Sequence, residues 1–191
     1  MNKRIFFVVI VIILISTNCF AQQKSTIKTF QFHSINNVGL LEGQAGSAFQ
    51  LQTINGFQHK SWFAGIGVGL DYYRYRTIPL FVDLRKEFGE KKNKFFVYGD
   101  AGISFSWVTD KQKMLYATND KFKNGFYGDA GAGYKISVSK NNSLLLSLGY
   151  TFKKVEETNN TYFLTPGWPI ISSEKYDYGL NRLSIKIGWE F

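Results

Sequence analysis

The stretch that decides the fold is Leu183-Ser184-Ile185-Lys186-Ile187-Gly188-Trp189-Glu190-Phe191. Every odd position in it is apolar, whereas the even positions carry polar, charged or small residues. A period of two places all the apolar side chains on one face of a β-strand. A polar opposite face is typical of a strand in a membrane barrel, whose outer surface contacts lipid and whose inner surface does not. The stretch therefore predicts the closing strand of a transmembrane β-barrel.

The same alternation recurs upstream, most clearly from Trp62 to Tyr73, where aliphatic residues on one face are flanked by aromatic ones. The predicted strands cover residues 37–42, 47–54, 62–73, 78–88, 95–107, 125–139, 143–153 and 176–191. Most are near the 9–11 residues that a tilted strand needs, by rough estimate, to cross a bilayer. Eight strands is an even number, as in bacterial single-chain barrels. The predicted fold class is all-β: an eight-stranded antiparallel up-and-down transmembrane β-barrel that follows a cleaved signal peptide.

The connections between these strands alternate between short turns and long loops. Short turns are predicted at 55–61, which opens on Asn55-Gly56, and at 89–94 and 140–142, whereas 109–124 and 155–175 are long polar loops. With both termini in the periplasm, these three turns fall on the periplasmic side and the two longest loops fall outside. Short periplasmic turns and long external loops are typical of outer-membrane barrels.

The N-terminus has the features of a secretory signal peptide. Lys3 and Arg4 form a positive region, Ile5–Ile15 is an unbroken apolar run, and cleavage after Ala21 leaves small residues at the positions that a signal peptidase reads. The predicted division is a signal peptide over 1–21 and an outer-membrane β-barrel domain over 22–191.

Two other interpretations of the N-terminus are a membrane anchor and a lipoprotein cleaved before Cys19. The apolar run would rise only about 16 Å as a helix, against a bilayer core of about 30 Å. Asn18 is a poor match to the small residue that usually precedes a lipoprotein cysteine. Cys19 is the only cysteine, so cleavage at Ala21 leaves no disulfide in the mature protein.

The composition favours a strand-rich protein over one that binds nucleic acid. The formal net charge is +9, and removal of the two basic residues Lys3 and Arg4 lowers it to +7. The lysines cluster at predicted turns, such as Lys92 and Lys94, where solubility or contact with anionic lipid headgroups accounts for them. No apolar run after the signal has the length of a membrane-spanning helix. A mature protein that enters a membrane must therefore do so as a closed barrel.

Charged residues collect on the inward face of the predicted barrel. The predicted lumen ion-pair network consists of Asp71, Asp83, Arg85, Asp100, Asp129, Lys135, Lys153, Arg182 and Lys186. The interior of an eight-stranded barrel is just wide enough for side chains to fill, and buried charges need partners. Arg182 and Lys186 are predicted to pair with Asp83, Asp100 and Asp129. The network is interpreted as a seal, and the alternative is a narrow ion path or a gate.

The sequence gives no support for an active site. Paired carboxylates could serve glycoside hydrolysis, but a filled lumen offers no groove for a substrate. The glycines Gly65, Gly67 and Gly69 do not have the spacing of a nucleotide-binding loop and are interpreted as room for bulky inward side chains such as Phe81. Only two histidines occur, His33 and His59. No catalytic, cofactor-binding or metal-binding residue is predicted, and no cofactor.

Contacts outside the cell are predicted through the long loops. The loop over 155–175 contains an apolar segment, in which Phe163 and Trp168 are the candidate contact residues for an extracellular ligand. The loop over 109–124 is a second candidate surface. The alternative is that the apolar segment folds back over the rim of the barrel.

The sequence resembles the small outer-membrane barrels of the OmpA/OmpX type, and more particularly the outer-membrane β-barrel domain proteins of Bacteroidetes. The segments that carry the second resemblance are Val38–Gly43, Gln50–Gly56, Trp62–Tyr73 and Ile78–Arg85. The resemblance covers nearly the whole mature chain and specifies architecture more than activity. It implies that the barrel-assembly machinery reads the C-terminal aromatic strand, in which Trp189 and Phe191 would form the assembly signal.

These observations predict a non-enzymatic outer-membrane protein with a side-chain-filled lumen and a structural or surface-interaction role. Its predicted partners are outer-membrane lipid, the barrel-assembly machinery during insertion and an extracellular ligand, and nucleic acid is not among them. One alternative is a small channel or porin-like protein. Another is a soluble, lipocalin-like binder in the periplasm, which requires residues such as Ile66 and Ile185 to point inward.

Overall fold

The computed structural model of this 191-residue chain describes residues 30–89, 92–107, 121–164 and 169–191. Their strands are β1 (Gln31–Gly43), β2 (Gly46–His59), β3 (Trp62–Asp71), β4 (Thr77–Phe88), β5 (Lys94–Ser106), β6 (Lys121–Lys123), β7 (Gly125–Ser137), β8 (Ser143–Leu164) and β9 (Pro169–Glu190). Within these ranges no helix is long and apolar enough to cross a bilayer. The predicted signal peptide over 1–21 lies outside the described residues.

The sheet closes on itself. Each long strand pairs antiparallel with the next long strand along the chain, and β1 also pairs antiparallel with β9. Eight long strands therefore form the wall, whereas the short β6 adds three residue pairs to β8 outside that ring. The predicted all-β, eight-stranded antiparallel up-and-down barrel is confirmed.

The two faces of the wall differ in polarity as the alternation predicts. On β9, Ile185 and Ile187 point outward and are 60% and 56% exposed, whereas Ser184 and Lys186 point into the lumen and are 0% and 2% exposed. Ile66 on β3 likewise points outward. A soluble lipocalin-like binder needs the opposite arrangement, so the outward apolar band argues against that interpretation.

Inward glycines make room for large side chains, as predicted for Gly67. A Cβ atom on Gly67 would overlap the ring of Phe81, which lies directly opposite on β4 and is 2% exposed. The lumen is therefore packed by pairing glycine on one strand with an aromatic residue on the next.

The predicted turn at Asn55-Gly56 is wrong, because β2 continues through both residues to His59. A Cβ atom on Gly56 would overlap the carbonyl group of Ala64 on β3. The glycine therefore serves the close approach of two backbones within the sheet. The chain reverses after His59, where Lys60 takes a left-handed conformation with φ of 54°.

The strands at both ends of the chain are longer than predicted. β1 begins at Gln31 instead of residue 37. β8 continues to Leu164, and β9 begins at Pro169. Most of the predicted loop over 155–175 is therefore a β-hairpin. Most of the predicted loop over 109–124 lies outside the described residues, and its last part contains β6.

The two ends of the barrel are distinct. The "hairpin end" carries the protruding β8–β9 hairpin together with the β1–β2 and β3–β4 connections. The "short-turn end" carries the β2–β3, β4–β5 and β7–β8 connections and the beginning of β1.

Candidate functional site

An ion-pair cluster around Asp71 fills the lumen near the hairpin end. One carboxylate oxygen of Asp71 lies 2.5 Å from Nη1 of Arg182, and the other lies 3.0 Å from Nζ of Lys153. Arg182 also donates a hydrogen bond to the hydroxyl of Thr151 (3.1 Å), and Lys153 donates one to the carbonyl of Tyr73 (2.9 Å). The three charged side chains are at most 1% exposed. The cluster links β3, β8 and β9 across the lumen.

A second cluster lies deeper in the lumen, around Asp129 and Tyr127. Nζ of Lys186 lies 2.8 Å from a carboxylate oxygen of Asp129. The hydroxyl of Tyr127 accepts hydrogen bonds from the side-chain amides of Gln50 (3.0 Å) and Gln52 (2.9 Å). Tyr127 and Gln50 are both 0% exposed, and these contacts bridge the lumen between β2 and β7.

Three aspartates form a row across neighbouring strands at this level. Asp83 lies opposite Asp100, which lies opposite Asp129. Arg85 donates to both carboxylate oxygens of Asp83, with Nε to oxygen distances of 2.9 Å. Among the described residues, neither carboxylate oxygen of Asp100 has a hydrogen-bond partner. The row therefore contains two acids with close cationic partners and one without.

An apolar layer, which includes the aromatic rings of the second cluster, continues from that cluster towards the short-turn end. Its buried side chains are Ile35, Ile54, Phe63, Phe81, Phe96, Tyr98, Tyr127 and Leu145. A cavity at this level, which Phe63 and Leu145 help to line, measures about 10 Å³. That volume is close to the room that one water molecule needs. The layer therefore packs the described part of the lumen at this level.

A third set of charges lies at the short-turn end. Nζ of Lys135 lies 2.6 Å from Glu190 and 2.8 Å from Glu87. Lys94 also pairs with Glu87 (2.8 Å), and Nδ1 of His33 lies 3.1 Å from Glu190. Both acids at this end therefore already have basic partners.

All nine residues of the predicted network have side chains buried inside the barrel, at 8% exposure or less. Lys186 lies against Asp129, in agreement with the predicted pairing. Arg182 pairs with Asp71 instead of Asp83, Asp100 or Asp129, so that part of the prediction is wrong. Arg182 lies in register with the aspartate row, because it is opposite Thr151, which is opposite Asp129. Its side chain nevertheless reaches across the lumen to Asp71 on β3.

Sequence reasoning missed the polar atoms of the lumen that carry no charge. The hydroxyl of Tyr98 donates to Asp129 (3.0 Å), and Gln50 and Gln52 complete the Tyr127 cluster. The signal was available, because these residues occupy inward positions on β2, β5 and β7. A glutamine in a strand that otherwise alternates apolar and small residues indicates a polar interior.

The predicted assembly residues lie at the short-turn end of β9. Trp189 points outward and is 41% exposed. The backbone of Phe191 exchanges two hydrogen bonds with Ser34 of β1, with N to O distances of 2.8 and 3.0 Å. Phe191 therefore continues the pairing that closes the barrel.

Beyond the rim, β9 is paired on one side only among the described residues. Its pairing with β1 ends at Arg182, which lies opposite Gly43, whereas its pairing with β8 continues without a break to Pro169. The protruding part of β9 therefore has a free edge, next to the short β1–β2 turn.

The closing pair fixes which backbone groups face that edge. Because Phe191 exchanges both its hydrogen bonds with Ser34, odd residues of β9 direct N–H and C=O towards the β1 side. The β8–β9 register has no bulge, so the same parity holds along the whole hairpin. The residues that direct backbone groups to the free edge are 171, 173, 175, 177, 179 and 181. Pro169 has the same parity, and proline is tolerated at such a position on an edge strand.

A tyrosine cluster braces the base of the hairpin. The ring of Tyr178 lies 5.4 Å from that of Tyr75 and 6.3 Å from that of Tyr176. The guanidinium of Arg74 lies 4.7 Å from the centre of the Tyr178 ring. The hydroxyl of Tyr75 donates to Glu157 (3.1 Å), and burial raises the pKa of that phenol. The β3–β4 connection is thus held against the hairpin.

Of the two predicted surface-contact residues, Trp168 lies outside the described residues. The backbone of Phe163 lies in β8 and pairs with Ile170 of β9. Within the described part of the chain, no group of three or more histidine, cysteine, aspartate or glutamate side chains is arranged to hold a metal ion.

No protein-family model matches the sequence, and no curated protein matches it. Several solved structures, however, are similar to the computed structure. The chain is similar to Neisserial surface protein A, with a TM-score of 0.53 and 10% identity over 84% of this chain and 95% of that one. It is equally similar to the outer membrane protein OprG from Pseudomonas aeruginosa, with the same TM-score, identity and coverage.

A third similar structure is the N-terminal β-barrel domain of OprF from Pseudomonas aeruginosa. Its TM-score is 0.51 and its identity 13%, over 85% of this chain and all of that one. Identities this low establish shared architecture and nothing about ligands. The chain therefore has the fold of the small eight-stranded outer-membrane β-barrels.

Proposed function

We propose that this protein is a non-enzymatic outer-membrane barrel that is exported through the secretory pathway and acts by surface interaction. The observation that carries the proposal is the contrast between a lumen packed with side chains and a hairpin that protrudes with a free strand edge. A packed lumen supports neither transport nor turnover of a substrate. One of the similar structures bears the name of a surface protein.

The orientation follows from the ends of the barrel. Outer-membrane barrels have short periplasmic turns and longer extracellular connections. The hairpin end therefore faces outward, and the short-turn end faces the periplasm. The outward band of apolar residues meets the outer-membrane lipid. Trp189 and Phe191 lie at the periplasmic side, where the assembly machinery would read them during insertion.

The free edge of β9 suggests how a partner binds. An extended segment that runs antiparallel to β9 would take the place that β1 leaves at Gly43 and bond to the odd residues of the hairpin. Beyond its pairing with β6 at residues 156–158, the described hairpin is a two-stranded ribbon. Such a ribbon is marginally stable in water, so a further strand would stabilise it. The extracellular ligand of the predicted loops 109–124 and 155–175 is therefore proposed to be a protein segment with a free strand.

The closed lumen is tested by planar-bilayer recording of the purified barrel. Absence of conductance steps is expected, because the Asp71 and Tyr127 clusters and the apolar layer block the axis. Regular conductance steps that disappear on heat denaturation would support the channel alternative instead.

Surface interaction is tested with a display library of twelve-residue peptides, selected on the protein in nanodiscs. The variant Asp177→Pro removes an N–H that faces the free edge, whereas Tyr176→Pro removes one that bonds to β8. Selected peptides should bind Asp177→Pro about tenfold more weakly, since a lost hydrogen bond and a steric block each reduce affinity. N-methylation of alternate peptide residues should have a similar effect. Equal binding to wild type and Asp177→Pro contradicts the edge mode, and Tyr176→Pro reports the effect of melting the hairpin.

A further inference from the structure

The short-turn end of the barrel contains an open cavity, which is separate from the ion-pair clusters around Asp71 and Asp129. It measures about 280 Å³ and lies between the ends of β1, β2, β7 and β9 and the β4–β5 and β7–β8 connections. A second cavity of about 510 Å³ adjoins it and shares four lining residues, Gln31, His33, Lys140 and Asn141. We call the two together the basal pocket. Each volume is near or within the range of small-molecule sites, about 300–1,000 Å³.

The charges around the basal pocket do not balance. Its acid Glu190 is paired with Lys135, and the neighbouring Glu87 is paired with Lys94 and Lys135. Lys92 and Lys140 also line the pocket, and neither has an ion-pair partner among the described residues. The lysine side chains at the pocket (Lys92, Lys94, Lys135, Lys140) outnumber the acidic side chains (Glu87, Glu190) by two, and the α-carboxylate of Phe191, which lines the second cavity, lowers the surplus to one positive charge.

Hydrogen bonds hold the backbone beside each of the two unpaired lysines. The hydroxyl of Ser137 donates to the carbonyl of Lys92 (2.7 Å), and its backbone N–H donates to Asn93 (3.2 Å). The turn of Lys140 is closed by the N–H groups of Val138 and Ser139, which both donate to the carbonyl of Asn142 at 3.0 Å. Lys92 and Lys140 thus line the pocket from two different connections.

Neutral donors complete the lining. Ser139, Ser143 and Asn141 lie around the pocket with Gln31 and Gln58. Lysine binds phosphate as a point charge, and hydroxyl and amide groups bind the remaining oxygens. A phosphate ester near neutral pH carries a charge between about −1.5 and −2, which the ammonium groups of Lys92 and Lys140 together would balance.

We infer that the basal pocket is a binding site for a phosphate group presented from the periplasmic side. Lys92 and Lys140 clamp the phosphate between the β4–β5 and β7–β8 connections, and the serine and asparagine side chains donate to its oxygens. The site is independent of the hairpin and of the state of the lumen. Its phosphate is either that of a soluble molecule or that of a lipid headgroup at the membrane surface.

The test uses the double variant Lys92→Ala/Lys140→Ala of the full barrel. The matched control is Lys60→Ala/Lys175→Ala, which removes the same two charges from the β2–β3 turn and from the hairpin. Inorganic pyrophosphate is titrated into the protein in neutral detergent by calorimetry. We expect the affinity of Lys92→Ala/Lys140→Ala to fall at least tenfold and that of the control to change by less than about twofold. Heat-dependent gel mobility confirms that both variants are folded.

A second arm separates the two sources of phosphate. The three proteins are sedimented with vesicles of phosphatidylcholine alone or with phosphatidylglycerol added. Pyrophosphate binding that depends on Lys92 and Lys140 supports a soluble ligand, and vesicle binding alone with the same dependence supports a headgroup. Equal losses in both double variants, or binding to neither probe, would overturn the assignment.

Discussion

The same two strands, β8 and β9, exist in two different surroundings. From Leu183 to Glu190, β9 is hydrogen-bonded to both β1 and β8. In this part its even-numbered side chains are buried in the lumen and its odd-numbered ones form an outward apolar band. From Pro169 to Asn181, β9 is hydrogen-bonded to β8 alone among the described residues, and charged residues such as Lys175 and Asp177 are exposed. Membrane and lumen constrain the first part, whereas water on both faces of the second part relaxes the pattern. Stability should therefore reside below the rim and binding above it.

The largest effect is expected from Arg182→Ala, at the boundary between the two parts. The change leaves Asp71 buried with Lys153 as its remaining close cation. Removing one partner of a buried ion pair costs about 3–5 kcal/mol. Urea unfolding in lipid vesicles, followed by gel mobility, measures the loss, and membrane targeting should be unchanged.

The control for that prediction is Asn181→Ala, because Asn181 immediately precedes Arg182 on β9 and is exposed. It should change the free energy of unfolding by less than about 0.5 kcal/mol. If both substitutions have the same effect, the Asp71 cluster is not what stabilises this end of the barrel.

A smaller effect is expected from Gly67→Ala within the wall. The new Cβ overlaps the Phe81 ring, and overpacking of this kind costs about 1–3 kcal/mol. Gly99→Ala is the matched control, because a Cβ there has no atom within 4 Å. The loss should be partly restored by Phe81→Leu, and additive effects in the double variant argue against direct overlap.

The smallest effect is expected from Tyr75→Phe, which acts on the protruding part. The change removes the hydrogen bond to Glu157 and should cost about 1 kcal/mol. Faster amide exchange should be confined to the protruding part of the hairpin, which includes residues 169–181 of β9. The exchange rates of the barrel strands should not change. Tyr72→Phe serves as the control on the same connection, and uniform acceleration throughout the barrel would contradict the division into two parts.

Assembly can be separated from stability by deleting Phe191. Its backbone closes the ladder with Ser34, and its ring belongs to the predicted assembly signal. We expect slower insertion into membranes in cells, with heat-dependent mobility retained in the fraction that folds. Normal insertion of the deletion variant would leave Phe191 with a backbone role only.

The alternation of residues predicted most of the wall but failed at particular places. Val155 and Glu157 continue the inward phase of β8, yet their outward neighbours Lys154 and Glu156 are charged. The outward face of that stretch is polar, so its strand lacked the apolar face on which the prediction depended. Gly56 failed for a different reason, since close backbone approach and a tight turn both select glycine.

The sequence by itself determined which side chains face the lipid and which face the lumen, because period-two polarity is a local property that a barrel imposes on every strand. It thereby determined the fold class and the charged, filled interior. Only the tertiary structure decided which charges meet: Arg182 is 111 residues from Asp71. Their contact depends on the register accumulated around eight strands and on the width of the lumen. The same accumulated register decided that β1 stops beside Arg182 of β9. It thereby decided where the free edge of the hairpin begins.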